Sequence, residues 1–187
     1  MSVEPHALQD TVMLARLRSI IHERNVKVVV ETGIDRGWST AAFSRLVDLV
    51  VGIDISPDAI ECSYHNLKNQ GCDNALLVCD NSPDALRKLR PFLPDKRVLY
   101  FLDAHWGDYW PLLDEIVEIW QRSGVIVFHD MVVPGHPELG FDTYGGQTLN
   151  YEYVRPALME WSPNHRIEYN ERAECPFPRG VGYVFPE

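Results

Sequence analysis

The sequence predicts an α/β fold: a mostly parallel central sheet, helices on both faces, and an antiparallel last strand. Three observations predict it. Five short apolar runs recur between residues 26 and 128. The segments between them carry helical spacing and helix-starting signals. Two further runs close the chain on either side of a Pro-Arg-Gly turn. Continuous apolar runs suit strands buried on both faces, which is the condition inside a parallel sheet.

The elements follow in order. Leu8 to His22 reads as a helix within an N-terminal segment of residues 1–24. Val26 to Val30 is the first β-branched run, and a helix from Thr40 to Val47 carries Ala41, Phe43 and Leu46. Leu49 to Ile55 is the second run. Ser56-Pro57 then gives a cap followed by proline at the first helical position, and Gly71 ends the helix over Asp58 to Gln70. Ala75 to Cys79 is the third strand. Ser82-Pro83-Asp84 opens the next helix with Ser82 as its cap, and Pro91 closes it. Val98 to Leu102 is the fourth strand. Trp110 to Gln121 has Leu112, Leu113, Ile116, Val117 and Trp120 on one stripe, and Val125 to Phe128 is the fifth strand. After a helix from Asn150 to Trp161 come Arg166 to Tyr169 and Val181 to Phe185. The turn at Pro178 to Gly180 predicts that these two are antiparallel neighbours. Strand alternating with helix predicts one domain over residues 1–187.

Composition removes several functions. Lys plus Arg is 17 against 27 for Asp plus Glu, a net charge of -10. A long nucleic acid needs a basic footprint, so no nucleic-acid partner is expected. No apolar run reaches the roughly 20 residues of a membrane helix. The start, Met1 to His6, lacks the basic and apolar regions of a signal peptide. The four cysteines form no C-x-x-C pair. Together these predict a cytoplasmic protein with reduced thiols and no membrane partner. A homodimer rests on the general frequency of dimers alone.

In such a sheet, ligands gather at the carboxyl ends of the strands. Strand one runs into Glu31-Thr32-Gly33-Ile34-Asp35-Arg36-Gly37-Trp38-Ser39. Gly33 permits a tight turn and close approach of a ligand, and Gly37 and Ser39 put a helix start beside it. The G-x-G-x-x-G dinucleotide fingerprint is absent, which argues against a dehydrogenase. Strand two ends in Asp54-Ile55, an acid placed to accept both hydroxyls of a ribose. Asp80, Asn81 and Ser82 follow strand three, where Asp80 or Ser82 could read an adenine edge. Strand four delivers Asp103, His105, Trp106 and Asp108; strand five delivers His129 and Asp130. Two carboxylates at one edge repel unless a cation or a proton lies between them. Mg²⁺ is the simple candidate, and the histidines shift preference toward Mn²⁺, Fe²⁺ or Zn²⁺.

The E-x-G-x-x-x-G-x-S form of residues 31–39 resembles the first motif of class I S-adenosylmethionine-dependent methyltransferases. Asp103 followed by His105-Trp106, with an acid-bearing strand end running into Val133-Pro134-Gly135, resembles the catechol O-methyltransferase-like, metal-dependent group. The resemblance spans roughly Val28 to Gly135. It implies a Rossmann-like fold, S-adenosylmethionine as cofactor, and Mg²⁺ or Mn²⁺ on Asp103, His129 and Asp130. It implies a donor site of Glu31, Gly33, Gly37, Ser39, Asp54, Ile55, Asp80, Asn81, Ser82, Asp103 and Trp106.

Two departures stand out. The group's lysine base falls on Gly107, and the acid after strand five is moved by one residue. In an extended chain that move turns it to the other face. Asp103, His105 and His129 are therefore the catalytic candidates, a histidine filling the lysine's role. Trp38, Trp106, Tyr109 and Trp110 are candidates for an aromatic wall, although Trp110, like Trp120, reads better as packing the fourth helix on the sheet; residues 131–149 are candidates for a loop covering a small-molecule methyl acceptor. Two alternatives stay open. One is an inactive S-adenosylmethionine-binding module. The other is a metal-dependent hydrolase using Asp103, His105, His129 and Asp130.

Overall fold

The computed structural model describes residues 7–105, 109–119 and 124–187, with no account of the Ala7 side chain. The expected roles of Trp106, Asp108 and Trp120 lie outside the described residues. A seven-stranded sheet runs β3-β2-β1-β4-β5-β9-β8. Its strands are β1 (Val28–Thr32), β2 (Leu49–Asp54), β3 (Ala75–Cys79), β4 (Val98–Leu102), β5 (Val125–His129), β8 (His165–Tyr169) and β9 (Val181–Pro186). A two-residue-per-strand hairpin, β6 (Thr143–Tyr144) and β7 (Gln147–Thr148), stands apart. The first five strands pair in parallel. The last strand, β9, is antiparallel to both β5 and β8, so the antiparallel strand lies inside the sheet edge.

The helices are α1 (Thr11–Glu23), α2 (Trp38–Ser44), α3 (Pro57–Asn69), α4 (Ser82–Leu89), α5 (Leu112–Glu118) and α6 (Tyr151–Trp161). Several starts follow the capping signals. Asp10 accepts from Val12 N at 2.9 Å, Ser56 from Ala59 N at 3.3 Å, and Asn150 from Tyr153 N at 2.9 Å. One cap differs from expectation: Asn81 is the cap of α4, and Ser82 is already its first helical residue. The described part of α5 starts two residues later than Trp110, after Pro111.

The apolar runs divide between two cores. Val28, Val30, Val98, Tyr100 and Leu102 face α4, α5 and α6; Val29, Leu99, Phe101 and Val127 face α1 and Phe43 of α2. Alternation along each strand therefore buries both faces, which is why the runs are continuous. β8 and β9 are neighbours as expected, but not through a tight turn. Residues 170–180 join them, held by the Asn170 side chain, which donates to Arg179 O at 2.9 Å and accepts from Val181 N at 2.7 Å. No helix among the described residues is long and apolar enough to cross a membrane.

Candidate active site

The parallel strands end at one edge, and the sequence candidates meet there. After β1 the chain turns at Gly33, whose φ is +74°. A Cβ at Gly33 would come within 2.7 Å of Asp103 O and 2.8 Å of Ala104 Cα. This glycine is thus required by the backbone following β4, besides any ligand. Gly37, at φ +70°, caps α2 and packs on Ser63 of α3.

Asp54 ends β2 and organises both neighbouring turns. Its carboxylate accepts from Ser56 N at 2.9 Å and from Asp35 N at 3.2 Å. A cleft of 630 Å³ opens beside it, lined by Gly33, Arg36, Asp54, Ser56, Asp103 and His105 among others. A smaller cavity of 200 Å³ adjoins it, walled by Ile53, Ile55 and Ala104, with Asp54 and Ser82 also on its lining. Gly33, Asp54, Ile55, Ser82, Asp103 and His105 are thus gathered around one space.

Four sequence candidates lie elsewhere. Glu31 lines neither cavity. It is buried toward α2, where Thr40 donates to it at 2.6 Å. Burial pushes its carboxyl up to about 7, against the pull of Ser39 and Thr40. Ser39 is therefore a partner of Glu31. Asp80 is held by Lys88 Nζ at 2.6 Å, which keeps it below the usual carboxylate range. Asn81 donates to Asp84 at 3.3 Å.

The second half of the site is a charge cluster. His129 Nδ1 lies 3.3 Å from Asp103 Oδ1 and 3.2 Å from Asp130 Oδ1. The sequence left open whether His129, Asp130, both or neither would join Asp103; the structure brings both to it. Asp130 adopts φ +64°, a left-handed conformation, so the alternation of an extended chain no longer applies and both groups share one side. Burial opposes charge on the His129 ring. Asp103 and Asp130 outweigh it and push the ring up to about 10. Burial likewise raises Asp103, with His129 pulling the other way. Asp130 is held at about 2: burial works against its charge, but His129 and Arg179 prevail.

Two members of this cluster escaped the sequence reading. Arg179 donates through Nε to Asp130 and through a terminal nitrogen to Asp142. It sits in the Pro-Arg-Gly segment that the sequence offers only as a turn, far from its partners along the chain. Glu115 of α5 is fully buried, and neither carboxyl oxygen has a hydrogen-bond partner of good geometry among the described residues. Burial pushes it up to about 7, against the neighbouring Ser82 and Thr32 hydroxyls. A glutamate inside an amphipathic stripe was the only available signal.

Residues 131–149 carry the β6–β7 hairpin, which meets this edge at His105 and Trp110. Tyr144 packs its ring 5.2 Å from His105 and 6.1 Å from Trp110, which stacks on Tyr153 at 5.1 Å. His105 is half-exposed, with Nε2 4.0 Å from Asp142 Oδ2. Among the described residues, Tyr144, Trp110 and Tyr153 form this aromatic cluster, and the expected Trp106 lies outside them.

Comparison with solved structures decides the architecture. The chain is similar to the O-methyltransferase TomG from Streptomyces achromogenes, involved in tomaymycin synthesis and solved with S-adenosylmethionine (16% identity, TM-score 0.69, covering 98% of this chain and 81% of that one). The chain has the class I methyltransferase fold. An O-methyltransferase from Bacillus cereus, solved with S-adenosylhomocysteine, has the same fold (14% identity, TM-score 0.66, 99% and 84% covered). So does precorrin-6y C5,15-methyltransferase from Geobacter metallireducens (16% identity, TM-score 0.61, 92% and 87% covered). No family model matches the sequence, and no curated protein does.

Within the methyltransferase fold, the expected metal can be tested on its residues. Asp103, His129 and Asp130 each offer one ligand atom, all within 4.8 Å of one another. The spacing suits an ion, but the charges do not. Asp130 Oδ1 already faces His129 and Arg179. Two unit charges at ~4 Å interact by about 4 kcal/mol near a protein surface, and a divalent ion beside a guanidinium doubles the repulsion. As arranged, the trio does not fit a divalent ion.

Proposed function

We propose that this chain binds S-adenosylmethionine in the 630 Å³ cleft and transfers its methyl group to an oxygen of a small-molecule acceptor held under residues 131–149. The carrying observation is that Gly33, Asp54 and Asp103, from the ends of three neighbouring strands, line one cleft. Asp54 is fixed by two backbone amides at the place where a ribose needs an acid. Ile55 and Ile53 wall the smaller cavity, which suits a flat base.

The bound donor supplies an electrophilic sulfonium methyl group. Asp103 stands at the cleft with a carboxylate that can face a positive ligand. Methyl transfer is an in-line displacement, so positioning of donor and acceptor carries much of the rate. The acceptor hydroxyl must lose its proton. His129 is a poor base, because its two carboxylate neighbours hold it in the charged form. His105, at the cleft and against Tyr144 of the covering loop, is the base in this reading.

One observation favours a second reading, an S-adenosylmethionine-binding module without turnover. The lysine of the resembled group is Gly107 here, and His129 does not replace it. Calorimetric titration with S-adenosylhomocysteine comes first, on wild type and Asp54→Ala with their melting curves compared. Micromolar binding that the substitution abolishes is the expected result; no binding by wild type sinks both readings. An acceptor screen then follows formation of S-adenosylhomocysteine, and absence of turnover across phenols, sugars and carboxylic acids favours the module.

A further inference from the structure

The cluster at the end of β5 contains its own permanent cation, and the fold holds that cation firmly. Arg179 bridges Asp130, at the end of β5, and Asp142, in the covering loop. Its side chain is about two-thirds buried, at 32% exposure. The backbone around it is pinned on both sides. Gly140 N donates to Pro178 O at 2.9 Å, Gly180 N to Gly140 O at 2.8 Å, and Met131 N to Gly180 O at 2.9 Å. A Cβ at Gly180 would collide with Met131 O, so this segment lies directly against the chain leaving β5.

The carboxylates are fixed as well. Asp142 N donates to Asp130 O at 2.9 Å, and Leu149 N to Asp142 O at 3.0 Å. The left-handed turn at Asp130 directs its carboxylate to the same side as His129 and Arg179. Aspartate enters this conformation more readily than most residues, and here its carboxylate and its carbonyl are both held. The ring Asp130–Arg179–Asp142 is therefore a built feature of the site, joining the stretch that leaves β5 to the segment before β9.

We propose that Arg179 is the resident cation of this site, that it keeps divalent metal off Asp103, His129 and Asp130, and that the chemistry here is metal-independent. A guanidinium stays charged at every ordinary pH and cannot be a metal ligand. Its contacts neutralise Asp130 and Asp142, while His129 stands between Asp130 and Asp103, so the charge that would draw an ion is already met. The substrate consequence follows from coordination chemistry. With no ion at this edge, a vicinal pair of hydroxyls has nothing to chelate, and an acceptor presenting a single oxygen suffices. That consequence rests on the methyl-transfer reading above; the exclusion of metal does not.

The test is titration of the full chain with Mn²⁺, following the paramagnetic resonance of the free ion, with and without S-adenosylhomocysteine. Wild type is expected to show no site tighter than about 1 mM, and no change in S-adenosylhomocysteine affinity with EDTA. Arg179→Gln, which exposes Asp130 and Asp142 to each other, should bind Mn²⁺ at least roughly tenfold more tightly than wild type. Adding Asp130→Asn should cancel the gain, and Arg179→Lys should behave as wild type. Micromolar Mn²⁺ binding by wild type that Asp103→Asn removes overturns the proposal. So does a folded Arg179→Gln, checked by circular dichroism, that is as indifferent to Mn²⁺ as wild type. Should Arg179→Gln not fold, the wild-type titration alone decides. Failure to bind S-adenosylhomocysteine would count against the methyl-transfer reading and leave the metal result standing.

Discussion

His129 Nδ1 lies 3.3 Å from the carboxylate of Asp103, and this contact makes the ring a cation between acids. Its folded pKa of about 10 is above the ordinary 6.5. The pair's contribution is therefore fully present below about pH 6.5 and is lost as pH rises to about 10. His129→Gln leaves the buried Asp103 without its charged partner, while Arg179 still holds Asp130. We expect a loss of roughly 3–5 kcal/mol near neutral pH, the usual cost of removing one partner of a buried pair. Urea unfolding across that range checks it: wild type should lose stability on the alkaline side, and the variant should lack that slope.

Glu115 predicts the opposite kind of substitution effect. Its folded pKa of about 7 exceeds the ordinary 4.5, so the folded state binds the proton more tightly. Stability should fall as pH rises from about 4.5 to 7. Glu115→Gln removes the ionisable group and should stabilise by up to roughly 3 kcal/mol above pH 7, with little gain near pH 4. Glu31, also pushed to about 7, contributes a similar slope, so the variant's profile should flatten and not vanish. A Glu115→Gln protein less stable than wild type above pH 7 would contradict this account.

Gly33→Ala should be costly for two separate reasons. The backbone there is at φ +74°, and the new methyl would meet the Asp103–Ala104 backbone below 3 Å. Strain and overpacking together cost on the order of 2–4 kcal/mol. Chemical denaturation should report that loss. Because the clash pushes on Asp103, affinity for S-adenosylhomocysteine should fall as well.

His105→Ala tests the assignment of the base. Removing a general base lowers kcat by roughly 10²- to 10⁴-fold. S-adenosylhomocysteine affinity should change far less than it does in Asp54→Ala, because His105 lies at the cleft edge against Tyr144. Unchanged kcat in His105→Ala would assign proton removal elsewhere.

Much of the fold was legible in the chain. Ala75–Cys79 and Val98–Leu102 fall where their apolar runs lie, and Ser56-Pro57 begins α3 as its residue types require. These are local signals. The strand ends were legible too: in a parallel sheet every strand points its carboxyl end the same way, so Gly33, Asp54 and Asp103 had to share an edge. The charge state of the site was not legible. The side to which Asp130 turns stayed open in the sequence, because alternation assumes extended backbone; in the structure its φ is left-handed, with its carboxylate on Arg179 and its carbonyl on Asp142 N.

The sequence by itself determined the order of strands and helices, the parallel core and the identity of the acids at its edge, because hydrophobic period and capping act over a few residues. Only the tertiary structure decided that Arg179 reaches Asp130 and Asp142, that Glu115 lies buried beside Ser82 and Thr32, and that His129 is charged. Electrostatics acts through space and depends on burial. Its partners are set by where segments far apart in the chain come to pack.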